Sequence, residues 1–294
     1  MKNSHKIPIN IAGMLIELSS PLSASELGIE NQMGPFFGYP EKQQGAASLV
    51  WEESEGPPVP RGKLVYDPGS IWKMYYDGDY FYAALDYQVD SREVEALAVL
   101  RVSPGWDDLQ LSEQRKDAGW QSLLNIGAGE LIARTLIIFS GGLIFHASAL
   151  DDNGRGLVFI GHAGAGKSTH TALWSGEPGV IAMNDDRVAI RVEDKGPVAY
   201  GTPWGGTAGI ARNHAAPLKA LFVLEQAPEN AVEALPVHAA AATLLMARAF
   251  LPFWDSSLMV QAMDNLNTIL KQVPVYRLRF RPDRAVISLV RSVL

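Results

Sequence analysis

A glycine-rich segment near the middle of the chain restricts what the protein can fold into. Residues 161–169 read Gly-His-Ala-Gly-Ala-Gly-Lys-Ser-Thr and match the pattern G-x-x-x-x-G-K-[ST] at every fixed position. The apolar run Leu157–Ile160 precedes this segment, and a helix-compatible stretch, Thr169–Trp174, follows it. A strand, a glycine-rich loop and a helix in this order are typical of a loop that binds phosphate groups. The alternative is a glycine-rich turn without a ligand.

The residue types of this loop suit phosphate chemistry. Glycines let backbone N–H groups converge on phosphate oxygens, and a helix N-terminus adds partial positive charge. We expect Lys167 to reach the β- and γ-phosphates of ATP and the Ser168 hydroxyl to bind Mg²⁺. The predicted nucleotide-binding residues are Gly161, Ala163, Gly164, Ala165, Gly166, Lys167, Ser168 and Thr169.

Two adjacent carboxylates form a second candidate group. The apolar run Val180–Met183 leads into Asn184, Asp185, Asp186 and Arg187. One carboxylate could coordinate a metal ion while the other accepts a proton from an attacking hydroxyl. A plain turn between two strands is the alternative, because Asn and Asp are common turn residues.

Composition excludes several classes of protein. Among 294 residues, 47% are hydrophobic and 19% are charged, which is too few charges for a disordered chain. The net charge of −7 argues against a nucleic-acid partner bound through a broad positive surface. The absence of cysteine excludes disulfides, thiolate metal sites and cysteine nucleophiles. We find no signal peptide, and charged residues and glycines interrupt the most apolar stretch, Leu131–Leu150, so we expect a cytoplasmic protein without a membrane partner.

The first part of the chain, residues 1–115, is predicted to form a strand-rich domain that could recognise a substrate. Its clearest feature is a hairpin in which Ile71–Tyr76 and Tyr80–Leu85 flank the turn Asp77-Gly78-Asp79. Further predicted strands are Met14–Leu18, Ala47–Trp51 and Val94–Val102. A boundary is predicted near 105–118, where Pro104-Gly105 and a charged run follow the last of these strands.

Residues 116–294 are predicted to form the nucleotide-binding domain. Helical spacing covers Trp120–Ile138. A second hairpin signal joins the strand Leu143–Leu150 to the strand Leu157–Ile160 through the turn Asp151–Gly154, so the strand that feeds the glycine-rich loop should have an antiparallel neighbour. Later predicted elements are the strands Val180–Met183, Arg187–Val192, Lys219–Leu224 and Tyr276–Phe280 and the helices His238–Phe250 and Ser256–Val273.

The order of these features resembles the HPr serine kinase/phosphorylase family, which shares its nucleotide-binding core with phosphoenolpyruvate carboxykinases. That family has a histidine on the strand before the loop, then a hairpin, the G-x-x-x-x-G-K-[ST] loop, and Asp-Asp-Arg-Val soon afterwards. Here these features are His146, the turn Asp151–Gly154, the loop ending at Ser168, and residues 185–188. The resemblance implies an α/β domain of the HPr kinase and carboxykinase type, preceded by a smaller strand-rich α+β domain.

The resemblance also implies roles for individual residues. Asp186 would be the base that activates the acceptor hydroxyl. Asp185 would lie beside the metal ion together with Ser168, and His146 would lie beside the reacting phosphate. With Lys167, the predicted catalytic residues are Asp186, Asp185 and His146.

Two departures from the family pattern bear on the substrate. The glutamate-containing segment that supplies a further metal ligand in HPr kinases is missing, and Tyr200–Thr207 stands in its place. Residues 1–115 also differ from the usual N-terminal domain. Some relatives phosphorylate serine on ribosomal peptides, so the predicted activity is ATP- and Mg²⁺-dependent transfer to a hydroxyl of a peptide or protein, such as a ribosomal peptide precursor or a phosphocarrier protein. A small-molecule kinase and a nucleotide-binding regulatory module without transfer activity are the alternatives, and a homo-oligomer is compatible with either.

Overall fold

Two large mixed sheets carry most of the regular structure. The computed structural model describes residues 4–43, 45–70, 72–85, 97–115, 120–162, 164–236 and 239–294. This part of the chain is mixed α/β, with two eight-stranded sheets and few helices. It divides into two compact units, the first running to Leu136 and including Phe253–Asp255, the second comprising Ile137–Pro252 and Ser256–Leu294. No helix in the described ranges is long and apolar enough to cross a lipid bilayer.

The first unit is built on a sheet with the strand order β1-β2-β3-β8-β7-β6-β5-β4. Its strands are β1 (His5–Ile11), β2 (Met14–Ser20), β3 (Gly45–Glu53), β4 (Lys63–Tyr66), β5 (Trp72–Tyr76), β6 (Phe81–Leu85), β7 (Ala98–Val102) and β8 (Asp108–Glu113). Short helical elements are α1 (Glu30–Met33) and 3₁₀ turns at Gly34–Phe36 and Leu123–Asn125.

The predicted hairpin of the first unit is confirmed. β5 and β6 pair antiparallel, with Met74 opposite Ala83. The carboxylate of Asp77 accepts the backbone N–H groups of Asp79 at 3.0 Å and Tyr80 at 2.9 Å, which closes the turn between the strands. Ile71, the first residue of the predicted strand, and residues 94–96 of another predicted strand lie outside the described ranges.

The chain remains tied to the first unit after β8. Glu113, the last residue of β8, is buried and accepts hydrogen bonds from the indole N–H of Trp51, the Ser122 hydroxyl and the backbone N–H of Leu123. Burial raises the pKa of Glu113, and these donors oppose that rise. The helix α2 (Gly127–Phe139) follows, so the predicted helix over Trp120–Ile138 begins later than its periodicity indicates and contains Gly127 as its first residue.

The second unit contains the glycine-rich loop. Its strands are β9 (Gly142–Asp152), β10 (Gly156–Ile160), β11 (Val180–Asn184), β12 (Arg187–Glu193), β13 (Gly196–Gly201), β14 (Ala215–Gln226), β15 (Ala231–Leu235) and β16 (Val275–Phe280). Its helices are α3 (Lys167–Leu173), α4 (Ala239–Met246), α5 (Ser256–Leu270) and α6 (Ala285–Arg291). His238, the first residue of a predicted helix, lies outside the described ranges.

Two long strands of this unit, β9 and β14, pair with different neighbours along their length. The first half of β9, Gly142–His146, pairs with β12, whereas residues 147–151 pair with β10 and residues 149–152 also pair with β11. β14 pairs with β13 near its start and with β10 and β16 further along. The pairings β10-β9-β12-β13-β14-β10 therefore form a closed circuit of strands, and their side chains contribute to a core of buried apolar residues.

The hairpin that precedes the glycine-rich loop has the predicted antiparallel pairing. Ala149 lies opposite Val158, and Ala147 lies opposite Ile160. Asn153 and Gly154 have φ angles of 56° and 82°, the left-handed conformations that a tight hairpin turn requires at both central positions. On its other side β10 pairs parallel with β14, so the strand that leads into the loop lies between one antiparallel and one parallel neighbour.

A buried carboxylate ties the end of this hairpin to the last helix. Asp152 is inaccessible to solvent, and its two oxygens accept hydrogen bonds from Arg291 at 2.9 and 3.1 Å and from Arg155 at 2.6 Å. Burial alone would raise the pKa of Asp152. The hydrogen bonds from Arg291 and Asn153 and the charges of both arginines outweigh burial and lower that pKa below its ordinary value.

We predict a pH-dependent loss of stability on substituting Asp152→Asn. At neutral pH the variant should unfold with a free energy about 3 kcal/mol smaller, because the paired charge is lost. A carboxylate with a lowered folded-state pKa contributes stability above its unfolded pKa of about 3.9, and this contribution is lost as the pH falls through the folded pKa. The difference between the two proteins in urea unfolding should therefore shrink below about pH 4. Asp264→Asn, at an exposed position on α5, is the control, and a difference independent of pH would contradict the assignment.

Candidate functional site

The glycine-rich loop connects β10 to α3 and depends on two of its glycines. Gly164 and Gly166 have φ angles of 81° and 92°, which only glycine adopts without strain. A Cβ atom on Gly166 would also lie 2.8 Å from the ring of Phe280. Of the predicted loop residues, Gly161 and Ala165 are buried, whereas Ala163 lies outside the described residues.

Lys167, the first residue of α3, folds back over the loop. Its side chain is 8% exposed, and its ammonium group donates to the carbonyl oxygens of Gly161 at 3.2 Å and His162 at 3.4 Å. The same nitrogen lies 2.9 Å from Nε2 of His146. Burial lowers the pKa of Lys167, and the nearby charge of Asp186 opposes that effect.

His146 joins Lys167 to the carboxylate of Asp186. Its Nδ1 lies 2.9 Å from an Asp186 oxygen and 3.1 Å from the Arg187 guanidinium, which is also ion-paired with Asp186. If Nε2 accepts from Lys167, Nδ1 carries the hydrogen and donates it to Asp186. Strand register produces this arrangement, because His146 lies directly opposite Arg187 in the β9–β12 pair. We call His146, Lys167, Asp186 and Arg187 the central cluster.

Electrostatics keep Asp186 ionised despite its partial burial. Burial by itself would raise the pKa of Asp186. The hydrogen bond from His146 and the charges of Arg187 and Lys167 outweigh burial, and the pKa of Asp186 is lowered below its usual range. The carboxylate is therefore charged at neutral pH while it keeps a partly exposed face, since its side chain is 23% exposed.

The neighbouring Asp185 has different partners. It is 2% exposed, and its oxygens accept the backbone N–H groups of Gly206 at 2.7 Å, Ala208 at 2.8 Å and Ile210 at 3.1 Å. A buried carboxylate needs such donors, and here they fix the glycine-containing segment 205–210 against the end of β11. The sequence predicted Asp185 as a metal neighbour, and no sequence signal indicated that it would hold this loop.

The Asn184 side chain fixes the backbone of the turn that carries the two carboxylates. Its side-chain oxygen accepts the backbone N–H groups of Asp186 at 2.8 Å and Arg187 at 2.7 Å, and its amide donates to the Thr202 carbonyl at 2.9 Å. The structure therefore brings together three of the four predicted catalytic residues, His146, Lys167 and Asp186, and places Asp185 next to them with a separate set of contacts.

The predicted metal ligands are oxygen donors on two elements. Ser168 is partly buried in the first turn of α3, and Thr169, beside it, is exposed. Within the described ranges, no three His, Asp or Glu side chains are arranged so that they could hold a metal ion together. His170 of α3 is fully buried against Phe159, with ring centroids 4.2 Å apart, and burial lowers its pKa to about 3.

An open pocket of about 370 Å³ lies beside the central cluster. It is lined by His146, His162, Arg187 and residues 247–250. The segment 247–250 reaches this place because the Arg248 carbonyl accepts the backbone N–H of His146 at 2.8 Å and Ala249 bridges to Phe145. The Arg187 guanidinium lies 4.6 Å from the centre of the Phe250 ring. Arg248 was not predicted as a site residue, since it lies about 80 positions after Lys167 and no motif surrounds it.

Further basic side chains of this unit have different surroundings. Arg212 is exposed, and its backbone N–H donates to the Met183 carbonyl of β11 at 3.0 Å. Arg277 and Arg279 form ion pairs with Glu225 and Glu233 on the neighbouring strands β14 and β15.

Comparison with known families places this site within one matched region of the chain. The sequence model described as SynChlorMet cassette protein ScmC matches residues 120–283, more than half of the chain. The chain belongs to the ScmC family. The matched region contains the glycine-rich loop, the central cluster and Arg248. A search of curated proteins gives no match.

We predict that Asp185→Asn loosens segment 205–210 without disrupting the central cluster. The asparagine amide would place an N–H donor opposite a backbone N–H donor, at a cost of about 1–3 kcal/mol. Hydrogen exchange followed by mass spectrometry should then show faster exchange at the backbone N–H groups of Gly206, Ala208 and Ile210. Asp186→Asn is the matched control, because Asp186 accepts none of these hydrogen bonds. Equal exchange in both variants would show that Asp185 does not hold the segment.

Proposed function

We propose that this ScmC-family protein is a kinase that transfers the γ-phosphoryl group of ATP to a hydroxyl, namely that of a serine in a peptide or protein. The observation that carries the proposal is the central cluster, in which a lysine from the glycine-rich loop meets a histidine, an ionised aspartate and an arginine. The proposal includes a distant relationship to the HPr serine kinase/phosphorylase family, supported by the order of these residues along the chain.

The glycine-rich loop would hold the phosphates of the nucleotide. Its backbone N–H groups and the Lys167 ammonium supply positive charge next to β10. Lys167 now donates to two carbonyl oxygens and contacts His146, and it would exchange these contacts for phosphate oxygens, which are the stronger acceptors. The positive charges of Arg187 and Arg248 beside the same cluster suit the charge that develops on a transferring phosphoryl group.

The oxygen donors beside the loop fit Mg²⁺. This ion prefers hard oxygen ligands, keeps several waters and needs only one or two carboxylates in addition to phosphate oxygens. An ionised carboxylate offers about four acceptor directions, and Asp185 uses three of them for backbone N–H groups. Ser168 and the remaining direction of Asp185 would hold the ion, which would neutralise phosphate charge when bound.

Asp186 would act as the general base. The acceptor hydroxyl gives its proton to Asp186, its oxygen forms a bond to the γ-phosphorus, and the bond from that phosphorus to the β-phosphate oxygen breaks to release ADP. The hydrogen bond from His146 orients the carboxylate, and Arg187 keeps it ionised. The partly exposed face of Asp186 is where an acceptor hydroxyl could approach.

A nucleotide-binding regulatory module without transfer activity is the second candidate. It is favoured by the contacts of Asp185, because three of the acceptor directions of that carboxylate are occupied by the protein's own backbone. Both candidates bind a nucleotide, and a cytoplasmic location would fit the absence of cysteine in either case. Within the kinase proposal, a small-molecule acceptor is the alternative to a peptide.

The nucleotide assignment predicts a strong effect of Lys167→Ala. Removing the ammonium deletes a charge-assisted contact worth about 1.5–3 kcal/mol, so ATP affinity should fall by about tenfold or more in calorimetry. Lys271→Ala, which removes an exposed lysine just after α5, is the matched control and should bind ATP as the wild type does. Unchanged ATP affinity in Lys167→Ala would exclude the assignment.

The kinase assignment predicts different defects in the two aspartate variants. Asp186→Asn should retain ATP binding and lose about 10²–10⁴-fold in transfer rate, because the amide cannot accept the proton. Asp185→Asn should in addition require more Mg²⁺ for half-maximal rate. Transfer would be measured with labelled ATP and a panel of serine-containing peptides.

Two results of that experiment would change the assignment. If the wild type labels no acceptor while ATP binds tightly and alters the protein's conformation, the regulatory module replaces the kinase. If Asp186→Asn keeps nearly full transfer, Asp186 is not the base, and His146 becomes the residue to test.

A further inference from the structure

A second concave surface of the same unit includes Ser168, the proposed Mg²⁺ ligand, and none of its other lining residues takes part in the proposed phosphoryl transfer. This groove has a volume of about 360 Å³. One wall is formed by Ser168, Thr171 and Ala172, which share a face of α3. We call it the α3 groove. It shares no residue with the pocket beside the central cluster.

The opposite wall of the α3 groove is apolar and is anchored by a carboxylate of the site. Val180 and Ala182 of β11 contribute to it, together with Ala208 and Ile210. The backbone N–H groups of Ala208 and Ile210 are two of the three that Asp185 holds. The position of this wall therefore depends on Asp185, which precedes Asp186 in the sequence.

The dimensions of the groove suit an extended peptide. From Ser168 to Ser175 the chain advances about 10 Å along α3 and the turn after it, at 1.5 Å per helical residue. Three residues of an extended strand cover the same distance.

One cation, Arg212, lines the α3 groove and could pair with an acidic peptide. Arg212 lines the groove, is exposed, and forms no ion pair with any carboxylate of the described residues. A guanidinium pairs well with a carboxylate, which an acidic side chain of a peptide would supply. The groove thus combines an apolar channel with one cation.

We propose that the α3 groove binds the segment of the acceptor peptide next to the phosphorylated hydroxyl, taking an apolar side chain between α3 and β11 and placing a carboxylate against Arg212. This inference rests on the proposed function for the identity of the reaction, although binding in the groove needs no transfer. The acceptor class is accordingly a serine-containing peptide with an apolar and an acidic residue close to the serine.

The test measures peptide binding without nucleotide. The probes are short peptides in which alanine replaces the acceptor serine, with Leu or Gly at one flanking position and Asp or Asn at another. Calorimetry on the wild type should show about tenfold tighter binding of the Leu peptide than of the Gly peptide, because a buried Leu side chain contributes about 1.5–3 kcal/mol. The Asp peptide should bind about threefold tighter than the Asn peptide, as expected for a partly exposed ion pair.

Two variants assign these preferences to the groove. Ala172→Phe places a ring in the channel from an exposed position on α3, and it should abolish the preference for Leu while leaving ATP affinity unchanged. Arg212→Gln should abolish the preference for Asp alone. Ala285→Phe, an equally exposed alanine on α6 outside both pockets, is the matched control and should keep both preferences.

Three outcomes would overturn the inference. The wild type could bind none of the peptides, or Ala172→Phe could retain the preference for Leu. Alternatively, Ala172→Phe could weaken ATP binding and spare peptide binding, which would make the groove a nucleoside site. Because these measurements contain neither ATP turnover nor a phosphorylatable residue, a failure of the kinase assignment would appear only in the labelling experiment and would leave the peptide result interpretable.

Discussion

The pairing of β9 with different strands along its length is the constraint on which the second unit depends. Its first half pairs with β12 and its second half with β10 and β11, and His146 stands at the junction of the two halves. Along β9 every residue is buried except His146 and Asp151, which are partly exposed. A strand this deeply buried cannot change register without moving its apolar side chains to the wrong face. The position of His146 between the loop of β10 and the start of β12 is therefore determined by the sheet.

The two adjacent aspartates show how environment separates identical side chains. The carboxylate of Asp185 is enclosed and satisfied by three backbone N–H groups, so its main effect is to shape segment 205–210. Asp186, one residue later, contacts a different set of partners, all of which are side chains with positive charge or a donor N–H. The turn geometry imposed by Asn184 produces this difference, because it fixes the backbone between the two side chains. Proton acceptance suits the accessible carboxylate, whereas loop positioning suits the buried one.

Local patterns predicted the parts of the fold that local chemistry determines. The Asp151–Gly154 turn between two apolar runs predicted the β9–β10 pair, and the Asp77 turn predicted the β5–β6 pair, because both turns carry residues whose side chains or φ angles close a hairpin. Elements such as β13 and β15 were not predicted. β13 begins with Gly-Pro, which is typical of a turn. In β15 the alternation of apolar and polar residues is weak, and this strand lies at the end of the strand order. Their existence depends on pairing with β14 and β16, which is a property of the tertiary structure.

Site residues follow the same division between local and long-range information. Lys167 and Asp186 belong to short motifs, and the sequence alone indicated them. Arg248 enters the pocket through a backbone hydrogen bond from β9, and the partners of Asp185 are backbone N–H groups, which carry no residue-specific signal. Under the proposed function, the surface around the central cluster contains two regions that bind different ligands. The pocket beside the central cluster contains Arg187 and Arg248 and suits the transferring phosphate, whereas the α3 groove contains a single exposed arginine and suits the acceptor. A kinase must bring a highly charged donor and its acceptor to the same point, and two surfaces that share no lining residue let each ligand bind without occupying the place of the other.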